Sequence, residues 1–189
     1  MACSNQSLLN NLSTMKRKTA SFTGTRPIFT GSPSIVQGGF NLDVANQAFA
    51  VGDVIPAGTL AIRDEAKRTV QIIKTAKVSE VDSEDATKVS LYVDEFYNPC
   101  FAVGDLVLVS GSAATTIASV PSIKAIEKKG NAYVITLSAA IAGLKAGDVL
   151  EEVISDGQTS AKSTERGKAN SVTICDVEVD EFETSVDVS

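Results

Sequence analysis

Any chemistry in this chain has to be done without histidine, because none of its 189 residues is one. That removes Ser–His and Cys–His nucleophile pairs and most zinc sites, leaving carboxylates, lysines and thiols as the reactive groups. Two carboxylates stand out by position. Asp53 and Asp105 each close the same five-residue string, Phe-Ala-Val-Gly-Asp, at 49–53 and 101–105, and a looser copy, LKAGDVL, sets Asp148 after Gly147. A catalytic role would need a second acid, base or nucleophile converging on them. A plainer use exists for the pair. Gly admits a backbone shape closed to other residues, and Asp can bond a backbone N–H two residues on, which starts a strand. The three glycines, Gly52, Gly104 and Gly147, are unequally spaced, which argues against a solenoid or blade period. The strings are therefore expected to turn corners.

The remaining candidates reduce in the same way. Asp176, Glu178 and Asp180 alternate along the tail and could attract Ca²⁺, but the order D-x-D-x-D-G is missing, so a solvated acidic face is expected there. The same reading holds for Asp82, Glu84 and Asp85. No G-x-x-x-x-G-K-[ST], G-x-G-x-x-G or G-x-S-x-G occurs. Cys3, Cys100 and Cys175 are odd in number and share no metal-like spacing, as expected of reduced thiols in a cytosolic setting. No secretory signal is read, since KRK is followed by TASFTGT, and no apolar run is long enough to span a bilayer. The chain is expected to be no enzyme, with no cofactor and no metal.

The elements around these residues differ along the chain. Up to Leu42 the only charged residues are Lys16, Arg17, Lys18 and Arg26, a net +4. The other 13 basic residues face all 23 acidic ones, so the rest carries −10. A basic arm on an acidic body calls for a charged partner. Residues 1–40 are rich in Ser, Thr, Asn and Gly, with apolar residues at no steady period, so an extended arm that gains order on another surface is expected. Its anchors would be Ile28, Phe29, Ile35 and Phe40, with the four basic residues beside them. The basic run lacks interleaved aromatics, so an acidic protein patch is favoured over nucleic acid.

From Phe49 onward the pattern is β. Aromatics are only 5% of the chain and Trp is absent, so the bulk comes from Val, Ile, Leu and Ala. Leu60 and Ile62, then Val70 and Ile72, alternate about the charged segment 63–68 as a hairpin, with a helix over 63–77 as the competing reading. Residues 79–88 read as a charged loop, 89–93 as a strand, and 106–109 as a strand buried on both faces. EKKGN (127–131) reads as a hairpin tip, 149–154 as a strand and 156–170 as a polar loop or a crossing arm. The tail 172–189 alternates as a closing hairpin.

Taken in order, AVGDVIPAGTLAIRDEAKRTVQIIKTAKV, VSLYVDEFYNPCFAVGDLVLVSG, AYVITLSAAIAGLKAGDVL and ANSVTIC…VEVDEF resemble the head-fibre and capsid-decoration proteins of tailed bacteriophages over about residues 40–189. The resemblance implies a structural virion protein, homotrimeric or a higher oligomer, bound to the major capsid protein outside the shell and assembled in the host cytoplasm. Lys16, Arg17, Lys18, Arg26, Ile28, Phe29, Ile35 and Phe40 would then face the capsid. The alternative is a nucleic-acid-binding β-barrel module that uses the basic arm. The expected architecture is mainly β: a barrel- or sandwich-like body from 41–99 and 155–189, a small β-barrel lobe inserted at 100–154, and an extended arm over 1–40.

Overall fold

Burial alternates residue by residue along Thr69–Ile72 and Ala132–Leu137, the signature of strands with one face on a core. The computed structural model describes residues 29, 31, 34–36, 38–94, 99–114, 116–129, 132–153, 161–162, 169–180 and 184–189. Apart from one 3-10 turn at Ile117–Ser119, every element among these is a strand. In chain order they begin with β1 (Phe40–Leu42), β2 (Val54–Ile55), β3 (Leu60–Asp64), β4 (Thr69–Ile72) and β5 (Thr75–Val81). Next come β6 (Lys88–Leu91), β7 (Val107–Val109), β8 (Ala113–Ala114), β9 (Ile123–Lys129) and β10 (Ala132–Leu137). The last are β11 (Val149–Glu152), β12 (Ala161–Lys162), β13 (Ser171–Val172), β14 (Val177–Glu178) and β15 (Ser185–Val186).

Two curled sheets hold most of these strands. The first has the order β13-β3-β4-β1-β15, with β2 and β14 paired separately. Its edges meet: Thr173 bridges Val188, Ile174 N–H donates to Asp187 O, and Ser189 N–H donates to Val172 O. The second has the order β7-β11-β5-β6-β10-β9, and it too curls back, through a Leu106–Ser122 bridge and a Val107 N–H to Pro121 O bond. Edges that meet leave fewer unpaired backbone groups to template aggregation.

Each sheet wraps its own apolar core. Phe40, Leu42, Ile55, Val70, Ile72 and Val186 are among those in the first. Val78, Val89, Phe101, Tyr133, Ile135 and Leu150 are among those in the second. A third, smaller cluster joins Leu108, Val120 and Val153. Val107 faces the second core and Leu108 the third, so this strand is buried on both faces, as its continuous apolar run implies.

The mainly β reading and the 60–72 hairpin hold, with the four residues 65–68 as its tip and Arg68 in a left-handed backbone at φ 57°. Three expectations change. First, the second sheet lies wholly within 75–152, so the strands at 75–81 and 88–91, expected in the body, belong to it. Only Ile73 and Lys74 separate β4 from β5, and no change in composition marks that crossing. Second, the charged segment from 79 is strand as far as Val81, because Val81 pairs with Val89. Third, the tail does not close as one hairpin. Its residues 172–174 and 187–189 do meet, but β14 pairs with β2 and β15 with β1. The tip at 130–131 and most of 156–170 lie outside the described residues.

Candidate functional site

The repeated Gly-Asp strings form one device, used at several seams. Asp53 N–H donates to Ala50 O, Asp105 N–H to Ala102 O and Asp148 N–H to Lys145 O. The glycine between has φ of 81°, 102° and 94° respectively, the left-handed third position that a type II turn needs. Beyond the turn, each glycine N–H donates to the carbonyl of one residue of a passing strand, and that residue's N–H donates back to the aspartate carbonyl. The gripped residues are Val179, Ile123 and Val78, all buried. Pro56-Ala57-Gly58-Thr59 makes a fourth copy and grips Thr173. Each clamp satisfies both backbone groups of a residue that water cannot reach.

In three of the four turns the side chain of the fourth residue fastens the first, the exception being Asp53, whose Oδ1 accepts from Lys128. Asp105 and Asp148 accept from the N–H groups of Ala102 and Lys145, three residues back and not two residues on. Pro56 has no N–H to offer. There Thr59 supplies a hydroxyl that donates to Pro56 O at 2.6 Å.

Where the two sheets join lies a charged cluster that the strings alone do not announce. Lys74, in the link between β4 and β5, has a side chain only 1% exposed. Its ammonium donates to Asp105 Oδ2 at 2.7 Å and to Ala48 O, lies 3.5 Å from Glu152 Oε1, and sits 4.4 Å from the Phe49 ring centroid. Gln47 completes the junction. Its Nε2 donates to Ile72 O at 2.7 Å and to Glu152 Oε2 at 2.9 Å, while its Oε1 accepts from Ile72 N–H at 2.8 Å. Gln47 thus ties the first sheet to the last residue of β11. A cleft of about 370 Å³ opens beside it, lined in part by Asn46, Ala48, Val103, Asp105, Leu106 and Glu152. Burial pushes the Glu152 carboxyl up to about 7, and the charge of Asp105 adds to this, while Lys74 and the bond from Gln47 pull the other way.

Chemically the junction is a closed network. The hydrogen bonds of Lys74 end on protein oxygens, and Asp105 Oδ2 already accepts from both Lys74 and Ala102. Glu152 is poised to exchange a proton near neutrality. Sequence reasoning named Asp105 and missed Lys74, Glu152 and Gln47. The signal for Lys74 was present: Val70, Ile72, Lys74, Ala76 and Val78 alternate, and a lysine holding an inward position in that series is out of place. Gln47 and Glu152 are 105 residues apart, and no local pattern links them.

A second tie mirrors the first. Lys128, on β9, donates to Asp53 Oδ1 at 2.9 Å, and its ammonium lies 5.1 Å from the Tyr133 ring centroid. Asp176 is exposed but accepts from Ala57 N–H at 2.7 Å; Glu178 and Asp180 are exposed beside it, with Val177 and Val179 buried between. Asp82 caps the backbone of Glu84 and Asp85, and Asp85 binds the hydroxyl and N–H of Thr87. The Thr87 hydroxyl, with the Thr87 N–H, holds the Asp85 carboxyl below its ordinary value.

Of the expected capsid-facing residues, Lys16, Arg17, Lys18, Arg26 and Ile28 lie outside the described residues. Phe29 is half-buried and Ile35 is 58% exposed. Phe40 is corrected: it is 1% exposed, paired with Val186 and covered by the Arg68 guanidinium 4.4 Å from its ring centroid, so it is a core residue and not an anchor. Alternation through Phe40 and Leu42 turns both inward, so the first strand of the body begins at Phe40. No protein-family model, no curated protein and no solved structure matches this chain.

Proposed function

We propose that this chain is a structural virion protein, a head-fibre or capsid-decoration protein that adheres to the outside of a phage capsid through its leading segment. The observation that carries the reading is the junction of a basic segment with an acidic β body. The +4 of Lys16, Arg17, Lys18 and Arg26 precedes a body of −10, and the chain joins that body at its edge, where Val36 N–H donates to Val188 O and Ile35 stays exposed. A segment that extends from a sheet edge can lie along a partner without disturbing the core behind it. Many copies on one lattice offset the entropy lost when each segment is ordered. The commitment of Lys74, Asp105 and Glu152 to one another supports a body built for shape. In this reading the partner is the major capsid protein and the body assembles as a homotrimer.

The test is co-sedimentation with phage heads lacking this protein, comparing the full chain with a variant lacking residues 1–28. That truncation leaves Val36 and Phe40 in place, so the body is expected to remain folded. Loss of head binding by the truncated chain is the expected outcome, and undiminished binding rejects the reading. Retention of the full chain on DNA, lost steeply as salt rises, would favour a nucleic-acid module.

A further inference from the structure

The buried junction is the more enclosed of the two charged ties between the sheets, the other being Lys128 with Asp53. Gln47 holds β4 from the first sheet, Lys74 is the link itself, and Glu152 ends β11 of the second. The Glu152 backbone is pinned as well, since its N–H donates to Lys74 O at 2.9 Å and the next N–H, of Val153, donates to Leu106 O at 2.8 Å. The carboxylate is therefore fixed where β4, β11 and the turn at Asp105 meet, on the wall of the cleft.

The groups facing it are few. Lys74 comes from the link, Asp105 from the turn ahead of β7, and the neutral amide of Gln47 from the segment after β1. Glu151, next to it in β11, projects to the opposite face of the strand. Lys74 is 2.7 Å from Asp105 but 3.5 Å from Glu152, so the single cation is committed chiefly to Asp105. With both carboxylates ionised the cluster holds one uncompensated negative charge, all but shut off from water. Such a charge is relieved either by taking up a proton or by admitting water. Gln47 donates to Oε2, and Oε1 faces the Lys74 ammonium at 3.5 Å.

We infer that Glu152 is a proton-operated latch between the two sheets: protonated, it keeps the junction beside the cleft shut, and ionised, it draws water from the cleft into the junction and loosens the sheets about Ile73–Lys74. The equilibrium lies near neutrality because burial holds the group at about 7 instead of 4.5. Ionisation is then coupled to opening, since the open form returns the carboxylate to water.

Hydrogen exchange of the full chain tests this, with rates corrected for the intrinsic effect of pH. Between about pH 6 and about pH 8, protection of the Ile72, Glu152 and Val153 amides is expected to fall about tenfold more than that of Val89 in the second core. In Glu152→Gln the extra fall is expected to vanish. Equal changes at all four amides in the wild type, or the same extra fall in Glu152→Gln, would overturn the latch. Should Glu152→Gln not fold, a carbon-13 titration of the Glu152 side chain in the wild type decides: a midpoint near 7 that coincides with the midpoint of the extra loss of protection supports the latch, and one near 4.5, or one that does not coincide, sinks it.

Discussion

Lys74 Nζ lies 2.7 Å from Asp105 Oδ2, with the two side chains 1% and 5% exposed, so a lysine from the end of the first sheet is buried against the Gly-Asp turn of the second. The reciprocal pair, Lys128 with Asp53, has nearly the same separation, 2.9 Å, but its lysine is 43% exposed. Similar distances therefore conceal different energetics. Removing one partner from a fully buried pair strands the other, whereas water replaces an exposed ammonium. Lys74→Ala is expected to cost about 3–5 kcal/mol in denaturant unfolding, and Lys128→Ala about 1 kcal/mol. Equal losses would contradict the assignment of the junction to Lys74.

Stability is expected to fall as pH rises through the range set by Glu152. Its carboxyl titrates near 4.5 in the unfolded chain and at about 7 when folded, so between these values the folded state binds the extra proton. A state that binds more protons loses ground as they are withdrawn. The contribution is present in full below 4.5 and is lost progressively up to and through about 7. Calorimetry from mildly acidic to mildly alkaline pH is expected to show a loss on the order of 3 kcal/mol, absent in Glu152→Gln.

The turn clamps predict a cost of purely backbone origin. At Gly104 and Gly147 an added Cβ would meet nothing within 4 Å, yet φ is +102° and +94°. Gly104→Ala and Gly147→Ala are each expected to cost about 1–2 kcal/mol through strain alone. At Gly39 φ is +59°, inside the left-handed well that side chains can reach, and the Ser185 Oγ that a Cβ would meet at 2.8 Å is the end of an exposed, rotatable side chain. Gly39→Ala should therefore cost less than either. Urea melts of the three variants provide the comparison.

Thiol accessibility should rank the two described cysteines. Cys100 is buried in the first core with Sγ 3.0 Å from Val54 O, while Cys175 is only partly buried. Iodoacetamide added to the native chain is expected to label Cys175 well before Cys100, as read by peptide mass mapping. Labelling of Cys100 at an equal rate would mean that the first core opens more readily than its packing implies.

How far the sequence could be read depended on whether a signal was local. The hairpin at 60–72 was legible because apolar residues alternate on both sides of a charged tip. The turn role of Gly-Asp was legible because left-handed backbone strongly favours Gly. The tail at 172–189 was read wrongly as a single hairpin: alternation shows which residues turn inward, but not which strand lies alongside. Phe40 was read into the arm because its anchor-like isolation disappears only when Val186, from the far end of the chain, is placed beside it.

The sequence by itself determined the β class, the corners and the opposed charges of leading segment and body. Each follows from residue type and near-neighbour spacing, which act before the chain is folded. Only the tertiary structure decided that the sheets divide at Ile73–Lys74, and that Gln47, Lys74, Asp105 and Glu152 share one buried junction. Strand pairing and desolvation are properties of residues brought together from far apart. A lysine or glutamate acquires its energy, and its proton affinity, from neighbours that the linear order does not name.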